Sequence, residues 1–268
     1  MRVRWGALLI VLLALAVLVA GCAAQETAVG EQATEQPTFV VAMDATFPPM
    51  QFVDENKEIA GFDVDLLMAI AEEMEFQVEI RNTAWDGIFA GLEAGDFDAI
   101  MSSVTIRPDR QEIYDFTDPY INAGQAIVVL AEDTEIQGPD NLSGRTVGAQ
   151  IGTTGAFAIQ DIAGAVLKEY DSADLALLDL VAGNIDAVVV DTPVAADFAM
   201  RSEQFSGRLK IVGEPITAEQ YGALVNKGEN QEFLDLFNEG LRRVKENGVY
   251  DQIYARWISA GAAERPAQ

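Results

Sequence analysis

Residues 92–110, LEAGDFDAIMSSVTIRPDR, end in small hydroxyls and an arginine. Ser102, Ser103 and Thr105 follow an apolar run that begins at Phe97, and Arg110 lies one turn into a helix opened by Pro108. Hydroxyls at the C-terminal end of a strand, with a guanidinium a few residues on, suit an anion. An arginine on a surface helix is ordinarily solvated, and its place after a hydroxyl loop is what singles out Arg110. Residues 180–191, LVAGNIDAVVVD, repeat the pattern Leu-x-Ala-Gly-x-x-Asp-Ala, and superposing the two stretches sets Asp191 on Ser103. A carboxylate delivered by an apolar strand suits an ammonium, although it could also cap the helix that follows. One half of the chain thus offers a site for negative charge and the other a site for positive charge. A molecule carrying both would fit between them.

Other polar and aromatic residues stand at comparable places. Asp44 and Phe47 lie in DATFPPM, where two prolines bar a helix or a central strand, so both sit on a stiff loop after a strand. Each also has a plain structural reading, a loop carboxylate and a core ring. Trp85 stands at a loop-to-helix junction, where an indole can wall a pocket or pack in the core. Gln150 ends a strand, and Gly152-Thr153-Thr154-Gly155 follows. Glycine and threonine at a strand-to-helix turn can face an anion, but helix capping explains threonine there equally well. No Gly-Lys-Ser or Gly-Lys-Thr follows, so this is not a phosphate-binding loop. Asp63 and Asp65 open an amphipathic helix and read as capping residues that complement its dipole.

Positioning these groups requires strands that end at a crevice and helices that follow them. β-branched apolar runs predict strands at 38–43, 76–80, 97–101, 125–130, 146–150, 185–190, 209–212 and 221–225. Helical spacing predicts helices from 61 to about 74, from 85 to 95, from 108, from after 155 to about 170, at 174–182 and at 232–247. The polar, turn-rich stretch 132–144 marks the start of a second unit.

Composition narrows the function. Half of the 268 residues are apolar, enough for two modest cores. The net charge of −26 excludes a nucleic-acid partner, because phosphate binding needs a basic face. There is no histidine, which removes His-based triads and His metal sites, and the one cysteine can form neither an internal disulfide nor a thiolate cluster. No cofactor and no metal are expected.

The N-terminus reads as a targeting segment. Arg2 and Arg4 precede an apolar run over residues 6–20, short for a spanning helix and right for the core of a signal peptide. It ends in Leu18-Val19-Ala20-Gly21-Cys22, which resembles the lipobox of bacterial lipoproteins. The single cysteine stands at the one place a lipobox could use it. Residues 1–21 are therefore expected to be a signal peptide, Cys22 a lipidation site that ties the chain to a membrane surface, and residues 22–36 a flexible tether. Residues 259–268 are expected to be a disordered tail.

Taken in series, residues 43–50, 61–66, 85–88, 98–110, 115–120, 152–154 and 185–191 resemble the extracytoplasmic solute-binding proteins of family 3, which bind polar amino acids for ABC importers. The resemblance covers roughly residues 37–258. It implies an α/β, two-lobe periplasmic-binding-protein type II fold, with hinge-linked lobes and a central ligand cleft. Lobe 1 would comprise 37–124 and 217–258 and lobe 2 residues 125–216, with crossings near 123–125 and 215–220. It further implies that Arg110 holds the ligand α-carboxylate, completed by Thr105, Thr153 and backbone N–H groups. Asp191, helped by the Ser103 carbonyl, would bind the α-ammonium. Phe47 and Trp85 would sandwich the ligand side chain, while Asp44, Ser102 and Gln150 would face its end and set specificity. The aromatic pair, Asp44 and the acidic surface favour a basic amino acid such as arginine or lysine. Glutamine or another polar amino acid is the alternative. An enzyme on the same scaffold, a cyclohexadienyl (arogenate or prephenate) dehydratase, is the alternative of a different class, but the cleft shows no additional acid beyond Asp44. The expected protein is a monomeric, non-catalytic, lipid-anchored extracytoplasmic receptor that hands a free amino acid to an ABC permease.

Overall fold

The computed structural model describes residues 36–202, 204–205 and 207–259. The expected signal peptide, the lipidation site Cys22, the tether through residue 35 and the tail from residue 260 lie outside the described residues. In chain order the elements are β1 (Thr38–Met43), β2 (Thr46–Phe47), β3 (Gln51–Val53), β4 (Ile59–Ala60), α1 (Phe62–Met74), β5 (Gln77–Asn82), α2 (Trp85–Ala94), β6 (Ala99–Ile100), α3 (Pro108–Ile113), β7 (Tyr114–Phe116), β8 (Ile121–Ala123) and β9 (Gln125–Leu130). They continue with β10 (Thr146–Gln150), α4 (Thr154–Gln160), β11 (Val166–Tyr170), α5 (Ala173–Val181), β12 (Ala187–Asp191), α6 (Thr192–Met200), β13 (Leu209–Val212), β14 (Glu219–Tyr221), β15 (Leu224–Asn226), α7 (Gln231–Glu246) and α8 (Val249–Tyr254). A π-helical turn, Ala255–Ser259, ends the described chain, so Ser259 belongs to this turn rather than to the tail.

Two five-stranded sheets carry the site. The first has the order β5-β1-β6-β15-β7, with β1 parallel to β5 and β6, and β15 antiparallel to β6 and β7. Val41, Ala42 and Met43 of β1 are fully buried, the unbroken apolar run of a strand covered on both faces. The second has the order β11-β10-β12-β9-β13, with β10 parallel to β11 and β12, and β9 antiparallel to β12 and β13. The chain passes from the first sheet to the second through β8 and returns through β14, and these two strands pair antiparallel. The crossing is tight at Gly124, where a Cβ would stand 2.2 Å from the Thr217 carbonyl oxygen, so no other residue fits.

The sequence repeat has a structural cause. Gly95 and Gly183 end α2 and α5 in the left-handed region, at φ of 77° and 74°. Asp98 and Asp186 then occupy the same place in each sheet. The Asp98 carboxylate accepts from the Val40 N–H at 2.7 Å, and the Asp186 carboxylate accepts from the Thr146 N–H at 2.7 Å. Each aspartate sews the incoming strand to its parallel neighbour, and the strand then runs up to the cleft.

Two expectations change. The helix read from after 155 to about 170 ends at Gln160, and Val166–Tyr170 is instead an edge strand paired with β10. Gly164 at φ 82° turns the chain between them, and the two less exposed side chains of β11, Leu167 and Tyr170, stand three apart, a spacing that a helix face also shows. Asp63 and Asp65 lie in the first turn of α1, but no side chain caps that helix. Asp65 accepts from Arg256 Nη1 at 2.9 Å and from Trp257 Nε1 at 2.7 Å, which fastens the C-terminal turn to α1. Asp63 points inward to the site.

Candidate functional site

The strand ends and helix starts of both sheets face a common cleft lined by charged, polar and aromatic side chains. The structure brings all ten ligand-binding candidates from the sequence to its walls, together with Gln51 and Thr154.

Arg110 stands on α3 and gives one hydrogen bond, Nη1 to the Thr105 carbonyl at 3.1 Å. Its guanidinium carbon lies 5.8 Å from the Trp85 ring centre and 5.3 Å from that of Phe89, a cation–π setting. Among the described residues no carboxylate forms an ion pair with it. Burial pushes its pKa down to about 10, with the positive charge of Arg107 acting the same way. Asp109, Glu219 and Asp191 act on it only from a distance, so a largely desolvated guanidinium is left without a direct ion pair, a cost that a ligand carboxylate removes.

Asp191 ends β12 at the N-cap position of α6, but its side chain makes no capping bond. Its Oδ1 accepts instead from the Tyr221 hydroxyl at 2.5 Å. Burial pushes the carboxyl up to about 7, the charge of Glu219 adds to the rise, and hydrogen bonds from Tyr221 and Gln125 oppose it. A cation at this place would reverse the shift.

Asp44 also lines the cleft, buried to 4% exposure, and its oxygens accept from Thr46 Oγ1 at 2.8 Å and from Gln150 Nε2 at 3.0 Å. Burial raises its pKa. The Gln150 bond joins the end of β10 to the loop after β1, so it spans the two sheets. Phe47 and Trp85, 8% and 9% exposed, are also part of the lining.

The hydroxyl loop is held from behind. Ser103 is in the left-handed region at φ 52°, an unfavourable conformation for a residue with a Cβ. One oxygen of Asp63 fixes it by accepting from the Ser103 N–H at 2.8 Å, from its hydroxyl at 3.1 Å and from the Tyr120 hydroxyl at 2.9 Å. Burial pushes the Asp63 carboxyl up to about 7. Gln51 braces the same loop, giving its amide to Ser102 Oγ at 3.2 Å and accepting from Ser103 Oγ at 3.3 Å. The threonines are also engaged. Thr153 caps α4, accepting from the Ala156 N–H and giving its proton to the Gln150 carbonyl at 2.7 Å. Thr105 gives its proton to Glu219 at 2.7 Å. Neither hydroxyl proton is therefore directed at a ligand carboxylate, which leaves that role to Arg110 and backbone N–H groups. Sequence reasoning missed Gln51, Asp63, Thr154 and Glu219. Gln51 and Glu219 carried no motif, and Thr154 was hidden behind its neighbour. Asp63 was assigned to its own helix because its partners lie 40 and 57 residues away.

Among the described residues no group of three or more Cys, Asp or Glu side chains is placed to hold a metal ion. Two α/β sheets joined by a crossing ribbon, with an unpaired arginine and an opposed carboxylate in the crevice, define a periplasmic-binding-protein type II fold. The chain belongs to the bacterial extracellular solute-binding proteins, family 3, whose pattern it matches over residues 39–260. The L-arginine-binding protein of Pseudomonas aeruginosa is 33% identical over 238 residues, 83% of this chain and 91% of that protein. Solved structures of an ancestral arginine-binding protein, one bound to arginine and one to glutamine, are each 39% identical with a TM-score of 0.77, covering 83% of this chain and 98% of theirs. An ancestral amino-acid-binding protein described as a precursor of cyclohexadienyl dehydratase is 35% identical with a TM-score of 0.75, covering 82% of this chain and 95% of its own. No helix among the described residues is long and apolar enough to cross a membrane.

Proposed function

We propose that this protein is a receptor that binds a free basic amino acid, with arginine favoured, between its two sheets and delivers it to an ABC permease. The observation that carries the reading is the half-buried Arg110, which forms no ion pair among the described residues, in one cleft with the buried carboxylate of Asp191. Arg110 takes the α-carboxylate, Asp191 and the Ser103 carbonyl take the α-ammonium, and Trp85 and Phe47 flank the side chain. Asp44 receives its far end. The Gln150 amide already donates to Asp44, which marks where the donors of a guanidinium would go. The lobes are residues 37–124 with 217–258, and 125–216. The relatives' names support arginine, while the glutamine complex supports the second reading, a neutral polar amino acid. The receptor acts without turnover. In its mature form it is a monomer, anchored outside the cytoplasm through Cys22 after loss of residues 1–21. A thermal-shift screen with the twenty common amino acids tests the ligand class, because a ligand of the native state raises Tm. Shifts with arginine or lysine are expected. A shift confined to acidic amino acids refutes the basic reading, and conversion of arogenate or prephenate refutes the non-catalytic one.

A further inference from the structure

Glu219 lies on β14, behind the cleft wall and half-buried. Its carboxylate joins four segments. Oε2 accepts from Thr105 Oγ1 at 2.7 Å, from Thr154 Oγ1 at 2.9 Å and from Gln125 Nε2 at 3.4 Å, and Oε1 accepts from Thr217 Oγ1 at 2.7 Å. Thr105 follows the first sheet's hydroxyl loop, Thr154 opens α4 beside the second sheet, and Gln125 and Thr217 flank the crossing. Thr217 Oγ1 in turn accepts from the Gln125 N–H at 2.8 Å.

A carboxylate only accepts, and a threonine has one hydroxyl proton. Both cleft-lining hydroxyls, 3.5 Å apart, therefore point their protons back at Glu219. Thr154 Oγ1 also accepts from Gln125 Nε2 at 3.0 Å, so Thr105 is the hydroxyl that keeps both lone pairs free. Asp191 lines the same cleft, and the hydroxyls and its carboxylate together present acceptors. The charge of Glu219 already reaches Asp191, whose carboxyl it helps to push up. We propose that Glu219 is a positioning residue that fixes the proton direction of Thr105 and Thr154, and so makes this corner of the cleft an acceptor site for the ligand's ammonium. Glu219 touches no ligand. It acts through the threonines and ties their polarity to the crossing strands. The proposal rests on the amino-acid reading above.

The test is calorimetry on the full chain with two probes, L-arginine and 5-guanidinopentanoic acid, which is arginine without its α-ammonium. In Glu219→Gln the side chain keeps its size, but one acceptor becomes a donor and the hydroxyls must reorganise. The expected result is a loss of about tenfold or more in affinity for arginine, the scale of a hydrogen bond to a charged group. Affinity for the deamino probe and the Tm of the empty protein should stay near wild type. Thr105→Val, which removes the hydroxyl and keeps Glu219, should show the same selective loss, and the double variant should lose no more than the larger single loss. Thr105→Val also decides the matter if Glu219→Gln does not fold. Equal loss of both probes would mean a merely structural role and overturns the proposal, as does unchanged arginine binding in either variant. A wild-type protein that binds no arginine refutes the basic-amino-acid reading itself, and the proposal falls with it.

Discussion

Lowering the pH should release the ligand, and Asp191 sets the range. In the empty cleft its carboxyl sits at about 7, raised by burial and by Glu219. Only the ionised form offers the ammonium a counter-charge, and bound ammonium favours that form. Amino-acid binding therefore expels a proton below pH 7. Affinity should level off as pH approaches 8 and fall about tenfold per pH unit below 7, reaching roughly 100-fold at pH 5. The ligand's own α-groups keep their charges over this range. The stability of the empty protein runs the other way. A carboxyl raised above its unfolded value of 3.8 stabilises the fold at low pH and loses that contribution as pH rises through about 7, so the ligand-induced Tm shift should grow with pH. Asp63, also near 7, touches no ligand in the proposed site and affects empty and filled forms alike. Asp44, raised too, steepens the acid limb for a cationic side chain. Calorimetry from pH 5 to 8, in buffers of different ionisation enthalpy, reads both affinity and proton release. In Asp191→Asn the profile should flatten and affinity at pH 8 should drop roughly 30-fold or more, the cost of removing one partner of a buried charge pair. Affinity independent of pH from 5 to 8 in the wild type would refute the assignment of Asp191.

Arg110→Ala should lower amino-acid affinity by roughly 100-fold or more, as for other buried charge pairs, while the Tm of the empty protein changes little, because the hydrogen bond to the Thr105 carbonyl and the ring contacts that are lost are offset by relief of the cost of burying the cation. Near-normal affinity in calorimetry would sink the carboxylate assignment. Asp44→Asn should weaken arginine by about tenfold or more and glutamine by much less. Equal losses for the two ligands would place the side-chain end elsewhere. Asp63→Ala leaves two buried donors without an acceptor, the Ser103 N–H and the Tyr120 hydroxyl, at about 1 kcal/mol each, while the Ser103 hydroxyl keeps Gln51. A fall in Tm of roughly 4–8 °C is expected for a protein of this size, and an unchanged Tm would contradict its role in holding Ser103.

The residues that line the cleft were legible because their signals are local. Arg110 follows a hydroxyl loop and a proline, Asp191 follows an apolar strand, and the Leu-x-Ala-Gly-x-x-Asp-Ala repeat sets Asp98 and Asp186 against their neighbouring strands in both sheets. The supporting residues were not legible, because their partners are distant in sequence. Glu219 meets Thr105 across 114 positions and Thr154 across 65. No periodicity or motif encodes such a pair. The edge strand Val166–Tyr170 was lost for a different reason. Its two less exposed side chains, Leu167 and Tyr170, stand three apart, a spacing that one face of a helix also shows.

The charges of the cleft explain why a basic amino acid suits it better than a neutral one. On the proposed reading, Arg110 is satisfied by the α-carboxylate and Asp191 by the α-ammonium, and any amino acid supplies both. Asp44 remains. In the empty cleft it accepts from neutral donors, Thr46 and Gln150, and burial raises its pKa because those bonds do not replace lost hydration. A guanidinium or ammonium side chain supplies the missing charge. Glutamine offers another neutral amide, which duplicates what Gln150 already gives. The Gln150–Asp44 bond also joins the two sheets without a ligand, so a cation that replaces it must bridge the same gap. Selectivity and closure then depend on one carboxylate. Asp44→Asn should narrow the difference between arginine and glutamine and, in small-angle scattering, leave the arginine-loaded protein less compact than wild type. A variant that keeps full discrimination, or closes fully with arginine, would separate the two and refute the coupling.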